Sequence, residues 1–270
     1  MLRDHRRLAA LSVALALGAC AALPFPHLGS HAAAPVDRSL GVPADNGGLT
    51  GYLKTSDIDG AALLGPPPAP DSLRGRADRE LYEADRKLAG TPRWAEAIKD
   101  DDIWKGGALR RYSCALDQKL GDTETPAVAR LLHRIELDVR TVGTPPKARY
   151  NRPRPMLGDY QPICVAREDW MKTNASYPSG HSMTGWAWGL VLSELAPAKT
   201  DGLMAAGKAI GDSRVICGVH YQSDVEAGRT LGAAMVARLH ADPGFQADLA
   251  KARAELARTP AATSLSCPAA

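Results

Sequence analysis

Aromatic residues are scarce in this sequence, 5% of 270 residues with only two Phe. Strands of a β-sandwich favour aromatic and β-branched side chains, so a chain biased toward Ala and Leu is expected to be helical instead. An excess of one charge is also missing. The 33 Lys and Arg stand against 30 Asp and Glu, a net +3 without basic blocks, which argues against nucleic acid polymer as a partner. No CxxC pair is present, so a zinc site is not expected. Beyond the first 20 residues there is no apolar run of the roughly 18 residues that a membrane span needs. No internal repeat of fixed period is visible. With 45% hydrophobic residues the chain is nonetheless well able to bury a core.

The N-terminus has the build of an export signal. Arg3, Arg6 and Arg7 precede an apolar run from Leu8 to Ala19, and residues 1–20 read as a signal peptide. Leu17-Gly18-Ala19-Cys20 resembles the site at which bacterial lipoproteins are cut and acylated, which would make Cys20 a lipid anchor, possible at the outer membrane. The alternative is ordinary cleavage in the Ala-rich stretch that follows. Either leads to a periplasmic or secreted protein. Residues 21–50, rich in Ala, Pro, Gly and Ser, read as a tether, 51–260 as one domain and 261–270 as a tail. Without Cys20 the cysteines are Cys114, Cys164, Cys217 and Cys267, an even set suited to two disulfides in an oxidising compartment. Three connectivities are open.

Within the domain, Gly65-Pro66-Pro67-Pro68-Ala69-Pro70 is expected to be an extended strap. Asp71 or Ser72 is expected to cap a helix running to Gly90, with Pro92 beyond its end. Thr125 and Pro126 open the clearest helix. Val128, Leu131, Leu132, Ile135 and Val139 recur along it at helical spacing, and Gly143 is expected to end it. Further helices are expected after His181, over 201–215, from Asp224 (Ser223 and Glu226 matching a capping box) and over 244–258. Val225, Gly228, Gly232, Met235 and Leu239 give the helix from Asp224 a face that permits close packing. The fold class is an all-α, single-domain helical bundle.

Three segments carry chemistry. Lys147 to Pro155 concentrates cations, with Pro153 and Pro155 fixing the backbone around Arg154. Ser176-Tyr177-Pro178-Ser179-Gly180-His181 opens a helix whose N–H groups suit an anion. Ser213-Arg214 is followed by His220 and, four residues on, Asp224. Each alone fits a surface, a turn or a packing pair. Together they read Lys-x6-Arg-Pro, Pro-Ser-Gly-His and Ser-Arg-x5-His-x3-Asp, 11 specified positions in order. This pattern resembles the type 2 phosphatidic-acid-phosphatase (PAP2) and vanadium haloperoxidase superfamily. Ser-Tyr-Pro-Ser-Gly-His-Ser and Ser-Arg-Val-Ile-Cys-Gly-Val-His-Tyr-Gln-Ser-Asp-Val-Glu-Ala-Gly-Arg look like the bacterial class A non-specific acid phosphatases. Tyr52-Leu-Lys, Leu63-Leu-Gly-Pro-Pro-Pro and Ala241-Asp-Pro-Gly-Phe extend that likeness over about 52–258. Ala175 and Ser182 depart from the usual Gly and Thr without removing a functional group.

The resemblance implies an exported acid phosphatase acting on small phosphomonoesters, with no cofactor or metal, and suggests a homodimer. Lys147, Arg154 and Arg214 are expected to hold the phosphate oxygens, with Ser179 and the backbone N–H groups at Gly180 and His181 completing the cradle. His220 is the expected nucleophile, forming a phosphohistidine. Asp224 is expected to accept its other ring N–H, and His181 to protonate the leaving group. Convergence of the Arg154, His181 and His220 segments on one phosphate favours pairing Cys164 with Cys217, leaving Cys114 with Cys267. Competing readings are a lipid-phosphate phosphatase, a vanadate-dependent haloperoxidase, and a non-catalytic phosphate-binding lipoprotein. Asp100-Asp101-Asp102 is expected to be a solvated turn. His5, His27 and His31 fall in the signal or tether, and His133 and His240 on helix surfaces or boundaries.

Overall fold

The computed structural model describes residues 46–268. The signal peptide, Cys20 and all but the end of the tether therefore lie outside the described residues. Within them the chain forms α-helices, short 3₁₀ turns and no strand. The first helix, α1 (Gly60–Leu64), is a single turn capped by Asp59, and the Pro-rich strap after it is extended as expected. Ser72 then caps α2 (Leu73–Asp85) by accepting from Gly75 N. This helix passes into a 3₁₀ turn at Arg86–Leu88 and stops short of Gly90. Pro92 does lie beyond the end of that helix, and it is also the first residue of another, α3 (Pro92–Asp100), capped by Thr91. A short α4 (Leu109–Leu116) follows. Neither α3 nor α4 was anticipated.

The largest revision concerns α5 (Pro126–Tyr150), which continues through Gly143, Pro145 and Pro146. Packing outweighs local propensity here: Val142, Gly143, Pro146 and Lys147 are all buried. A Cβ on Gly143 would lie 3.4 Å from Met183 Sδ, so this glycine seats a neighbouring helix rather than ending its own. The real stop is Asn151, in the left-handed region at φ 40°, whose N–H bonds Lys147 O at 2.9 Å. At the other end, Thr125 does not cap with its side chain. The Glu255 carboxylate of α9 (Pro243–Leu256) accepts instead from Ala127 N at 3.1 Å and Val128 N at 2.9 Å.

At the centre stands α6 (Gly180–Leu195), buried along nearly its whole length between α7 (Thr200–Ile216) and α8 (Gln222–Leu239). One continuous apolar core joins Leu131, Ile135 and Val139 of α5 to Met183 and Trp188 of α6, Ile210 of α7, and Leu231 and Met235 of α8. Buried Trp188 spends its one donor well, giving Nε1–H to Leu132 O at 2.8 Å. A second, smaller cluster gathers Trp94, Ala97, Cys164, Ile216, Cys217 and Val219. Disulfides join Cys164 to Cys217 and Cys114 to Cys267, the latter tying the tail to α4.

Helix α8 starts at Gln222, two residues before the expected Asp224. It crosses α6 through Gly228, where a Cβ would stand 2.6 Å from Ser179 O and 2.9 Å from Ser182 Cβ. Gly228→Ala is therefore expected to destabilise the protein by about 1–3 kcal/mol through overpacking. Gly202→Ala, whose Cβ would meet Ala115 at an ordinary 3.4 Å, is expected to be neutral or stabilising, since Ala exceeds Gly in helix propensity. Urea unfolding of both variants checks the contrast.

Candidate active site

Each expected site residue is held by a helix end or by a segment pinned to one. Lys147 sits in the last turn of α5 and donates from Nζ to Ala175 O at 2.6 Å. Past the left-handed Asn151 the chain runs through Pro153 to Arg154, which is 2% exposed. Its guanidinium donates to Asn174 O at 3.0 Å, Asn174 Oδ1 at 2.8 Å and Val219 O at 3.0 Å. Ser179 is the N-cap of α6, and its N–H bonds Asp224 O at 3.0 Å. The helix therefore opens its first turn, Gly180 and His181, beside the N-terminus of α8.

Arg214 lies in the last turn of α7, a C-terminus clamped by buried Arg86, which donates to Val215 O at 2.7 Å and Ile216 O at 2.6 Å. Gly218, at φ 77°, then turns the chain back so that His220 N meets Arg214 O at 3.3 Å. A side chain at Gly218 would run into the Arg86 guanidinium.

His220 is 1% exposed. Its Nε2 lies 3.2 Å from Arg154 Nη1. Arginine has no acceptor, so this contact makes Nε2 the acceptor and leaves the ring proton on Nδ1. On that side stand Ser176 Oγ at 3.3 Å and Asp224 Oδ2 at 3.5 Å. Ser176 Oγ also donates to Asp224 Oδ2 in a short bond, so part of the Asp224 influence on the ring passes through a serine. Burial drives the His220 pKa well below its usual 6.5, Arg154 pushes the same way, and Asp224 opposes both. Both the lowered pKa and the Arg154 contact favour a neutral imidazole with its lone pair at Nε2.

Asp224 is fully buried, and burial alone would raise its pKa. Contacts with His220, Arg152 and Ser176 outweigh that and hold it at about 2 instead of 3.8. Arg152 Nη1 bonds Asp224 Oδ1 at 2.6 Å while Nη2 reaches Asp78 of α2 at 2.8 Å. As the third residue of α8, Asp224 also accepts from Tyr221 N at 2.8 Å.

The acidic run is not a solvated turn. Asp100 is fully buried, accepting from Ser213 Oγ and Arg111 Nε, each at 2.6 Å. Asp102 folds the loop by accepting from Lys105 N at 2.7 Å and Gly107 N at 3.0 Å. Between them Asp101 faces the site. Its Oδ1 lies 2.6 Å from Arg214 Nη1 and 3.5 Å from His181 Nε2, and its carbonyl oxygen lies 2.9 Å from that same nitrogen. Among the described residues, Arg214 Nε is buried without a hydrogen-bond partner, a donor set for an incoming anion. No group of three or more His, Cys, Asp or Glu among them is arranged to hold a metal ion. No helix among them is long and apolar enough to cross a membrane.

Sequence reasoning passed over Ser176, Arg152 and Asp101. Ser176 and Arg152 lie inside the motif segments, where their proximity to the other site residues was the available signal. Asp101 lies far away in sequence, with no signal beyond its charge.

A profile of the PAP2 superfamily matches residues 138–246, the stretch that holds Lys147, Arg154, Ser179, Gly180, His181, Arg214, His220 and Asp224. The non-specific acid phosphatase of Providencia stuartii is 40% identical over 210 residues, 77% of this chain and 85% of that protein. The acid phosphatase of Zymomonas mobilis is 36% identical over 209 residues, 76% and 79% of the two chains. The non-specific acid phosphatase of Salmonella typhimurium is 38% identical over 205 residues, 74% and 80% of the two. The chain belongs to the PAP2 superfamily. Within it the protein is an acid phosphatase, akin to the bacterial non-specific enzymes.

The lowered pKa values have a sign that can be measured. As pH falls below 6.5 the unfolded chain protonates the His220 position while the folded one does not, so this residue lowers stability on acidification. Asp224 contributes stability that is complete above about 3.8 and lost as pH falls through about 2. In an NMR titration the His220 ring is expected to remain neutral well below pH 6.5. A midpoint at or above that value contradicts the argument.

Proposed function

We propose that this acid phosphatase is exported and hydrolyses a broad range of small phosphomonoesters through a phosphohistidine on His220, with protein cations in place of a metal ion. The observation that carries the reading is the neutral, buried His220, its Nε2 lone pair 3.2 Å from the Arg154 guanidinium and its Nδ1 turned to Ser176 and Asp224.

In the first step Nε2 attacks phosphorus and the ester P–O bond breaks. The departing oxygen takes a proton from His181, and the cation formed on the His220 ring is stabilised by Asp224. In the second step His181 removes a proton from water, the resulting hydroxide attacks phosphorus, and the N–P bond breaks to return neutral His220. Lys147, Arg154 and Arg214 balance the charge spread over the equatorial oxygens, joined by Ser179 and the N–H groups at the start of α6. Lys147 and Arg154 are positioned by main-chain carbonyls.

Dialysis against a chelator is expected to leave the rate on p-nitrophenyl phosphate intact. A large loss restored by zinc or magnesium would overturn the metal-independent scheme. The two histidines are expected to fail differently. General acid help is typically worth about 10²–10⁴-fold, and a weakly basic phenolate needs less of it than an alkoxide. His181→Ala should therefore still form phosphoenzyme from p-nitrophenyl phosphate and almost none from alkyl phosphates. His220→Ala should form none from either while keeping its circular dichroism. An acid-labile phosphoenzyme burst in the His220 variant, absent in the His181 variant, would reverse the two assignments.

A further inference from the structure

The phosphate cradle carries an anion of its own. Asp101 belongs to the loop after α3, outside every motif segment, yet its carboxylate lies on Arg214 at 2.6 Å and near His181 at 3.5 Å. Its carbonyl, which can only accept, takes a hydrogen bond from His181 Nε2 at 2.9 Å. The loop is not resting there by accident. Its neighbours are anchored on both sides, Asp100 to Ser213 and Arg111, and Asp102 to the turn at Lys105 and Gly107.

The three partners differ in their freedom to move. The side chains of Arg214 and His181 are 4% and 1% exposed, whereas that of Asp101 is 39% exposed. The carboxylate is the group that can leave. It has somewhere to go, because Asp101 and Arg214 both line a cleft of 370 Å³ whose other walls include Ile98, Trp170 and Met171. A carboxylate on Nη1 repels a phosphate brought to the same guanidinium in a largely buried site, so the two anions compete for its charge.

We propose that Asp101 is a built-in competitor for the substrate phosphate, holding Arg214 and His181 until phosphate displaces it outward and returning as product leaves. It is thereby a determinant of affinity: it weakens the hold on inorganic phosphate and so limits product inhibition. The groups facing its carboxylate are Arg214 from α7, His181 from α6 and Arg154 from the segment after α5. Burial pushes the Asp101 pKa up, but these cations outweigh it and leave it below 3.8. The competitor therefore stays charged through the weakly acidic range in which an acid phosphatase works.

This inference rests on the proposed cradle, and its test separates the two. Inorganic phosphate is titrated calorimetrically into the full-length wild-type protein and into Asp101→Asn, which keeps the side-chain shape and the backbone carbonyl. The KM and kcat of both are measured on p-nitrophenyl phosphate. The variant is expected to bind phosphate about 10- to 100-fold more tightly, in the range of measured couplings between close charges. Its KM is expected to fall and product inhibition to strengthen. Asp101→Glu is expected to restore weak phosphate binding. Unchanged or weaker binding in a folded Asp101→Asn variant overturns the proposal. A fall in kcat with phosphate affinity unchanged also overturns it, and makes Asp101 a positioning residue for His181. If wild-type protein binds no phosphate, the cradle itself is wrong. If phosphate binds and the variant tightens it but His220→Ala still forms phosphoenzyme, only the assigned nucleophile falls.

Discussion

One buried carboxylate ties the active site to the fold. Asp224 accepts from Tyr221 N at the start of α8, from Ser176 and from Arg152, and faces the His220 ring, all without solvent exposure. A charge in such a place is costly unless nearly every lone pair is matched. Here Arg152 supplies the countercharge and is itself fixed by Asp78 of α2 and stacked 4.1 Å over the Tyr221 ring. The chain from Asp78 to His220 thus joins α2, the segment after α5, the loop before α6 and the start of α8. Removing one partner would leave a buried ion unpaired and also turn the imidazole loose, so the orientation of the His220 ring and the closure of the bundle are the same constraint.

The second requirement is proximity. Ser179, the cap of α6, must stand within a hydrogen bond of Asp224 at the start of α8, and side chains of ordinary size between the two helices would hold them apart. Gly228 and Gly232 remove that obstacle, since a Cβ on either would lie within 3 Å of the α6 backbone. On the other flank Gly185 and Gly207 face each other across α6 and α7 with the same consequence. Close approach of backbones places three helix ends around one small volume, which is what a phosphate with several oxygens to satisfy demands.

These two requirements explain which parts were legible in the sequence. Helical periodicity in α5 and the small face of α8 reveal themselves because each repeats along one element. The motif residues Lys147, Arg154, Ser179, His181, Arg214, His220 and Asp224 were found through their mutual spacing. What stayed hidden depends on contacts between distant segments. Gly143 and two prolines signal a helix end locally, yet packing against Met183 carries α5 on to Asn151 and puts Lys147 on a rigid turn. The start of α8 was misplaced because Ser223 bonds with Asp78, 145 residues away, instead of capping its own helix. Asp100–Asp102 looked like a solvated turn because composition cannot show that Arg111, Ser213 and Arg214 wait for it.

The charge arrangement also shows why these cations do not disrupt the fold that holds them. Lys147 and Arg154 donate to the carbonyls of Ala175, Asn174 and Val219, and Arg86 to those of Val215, Ile216 and Pro162. Carbonyl dipoles satisfy these donors without adding a full negative charge of their own. Burial and the Arg154 charge together push the His220 pKa well below its usual value. His181 instead has the carboxylate of Asp101, just past the end of α3, at 3.5 Å from its Nε2. Two residues of the same type thus lie in opposite surroundings, His220 beside the Arg154 guanidinium and His181 beside the Asp101 carboxylate.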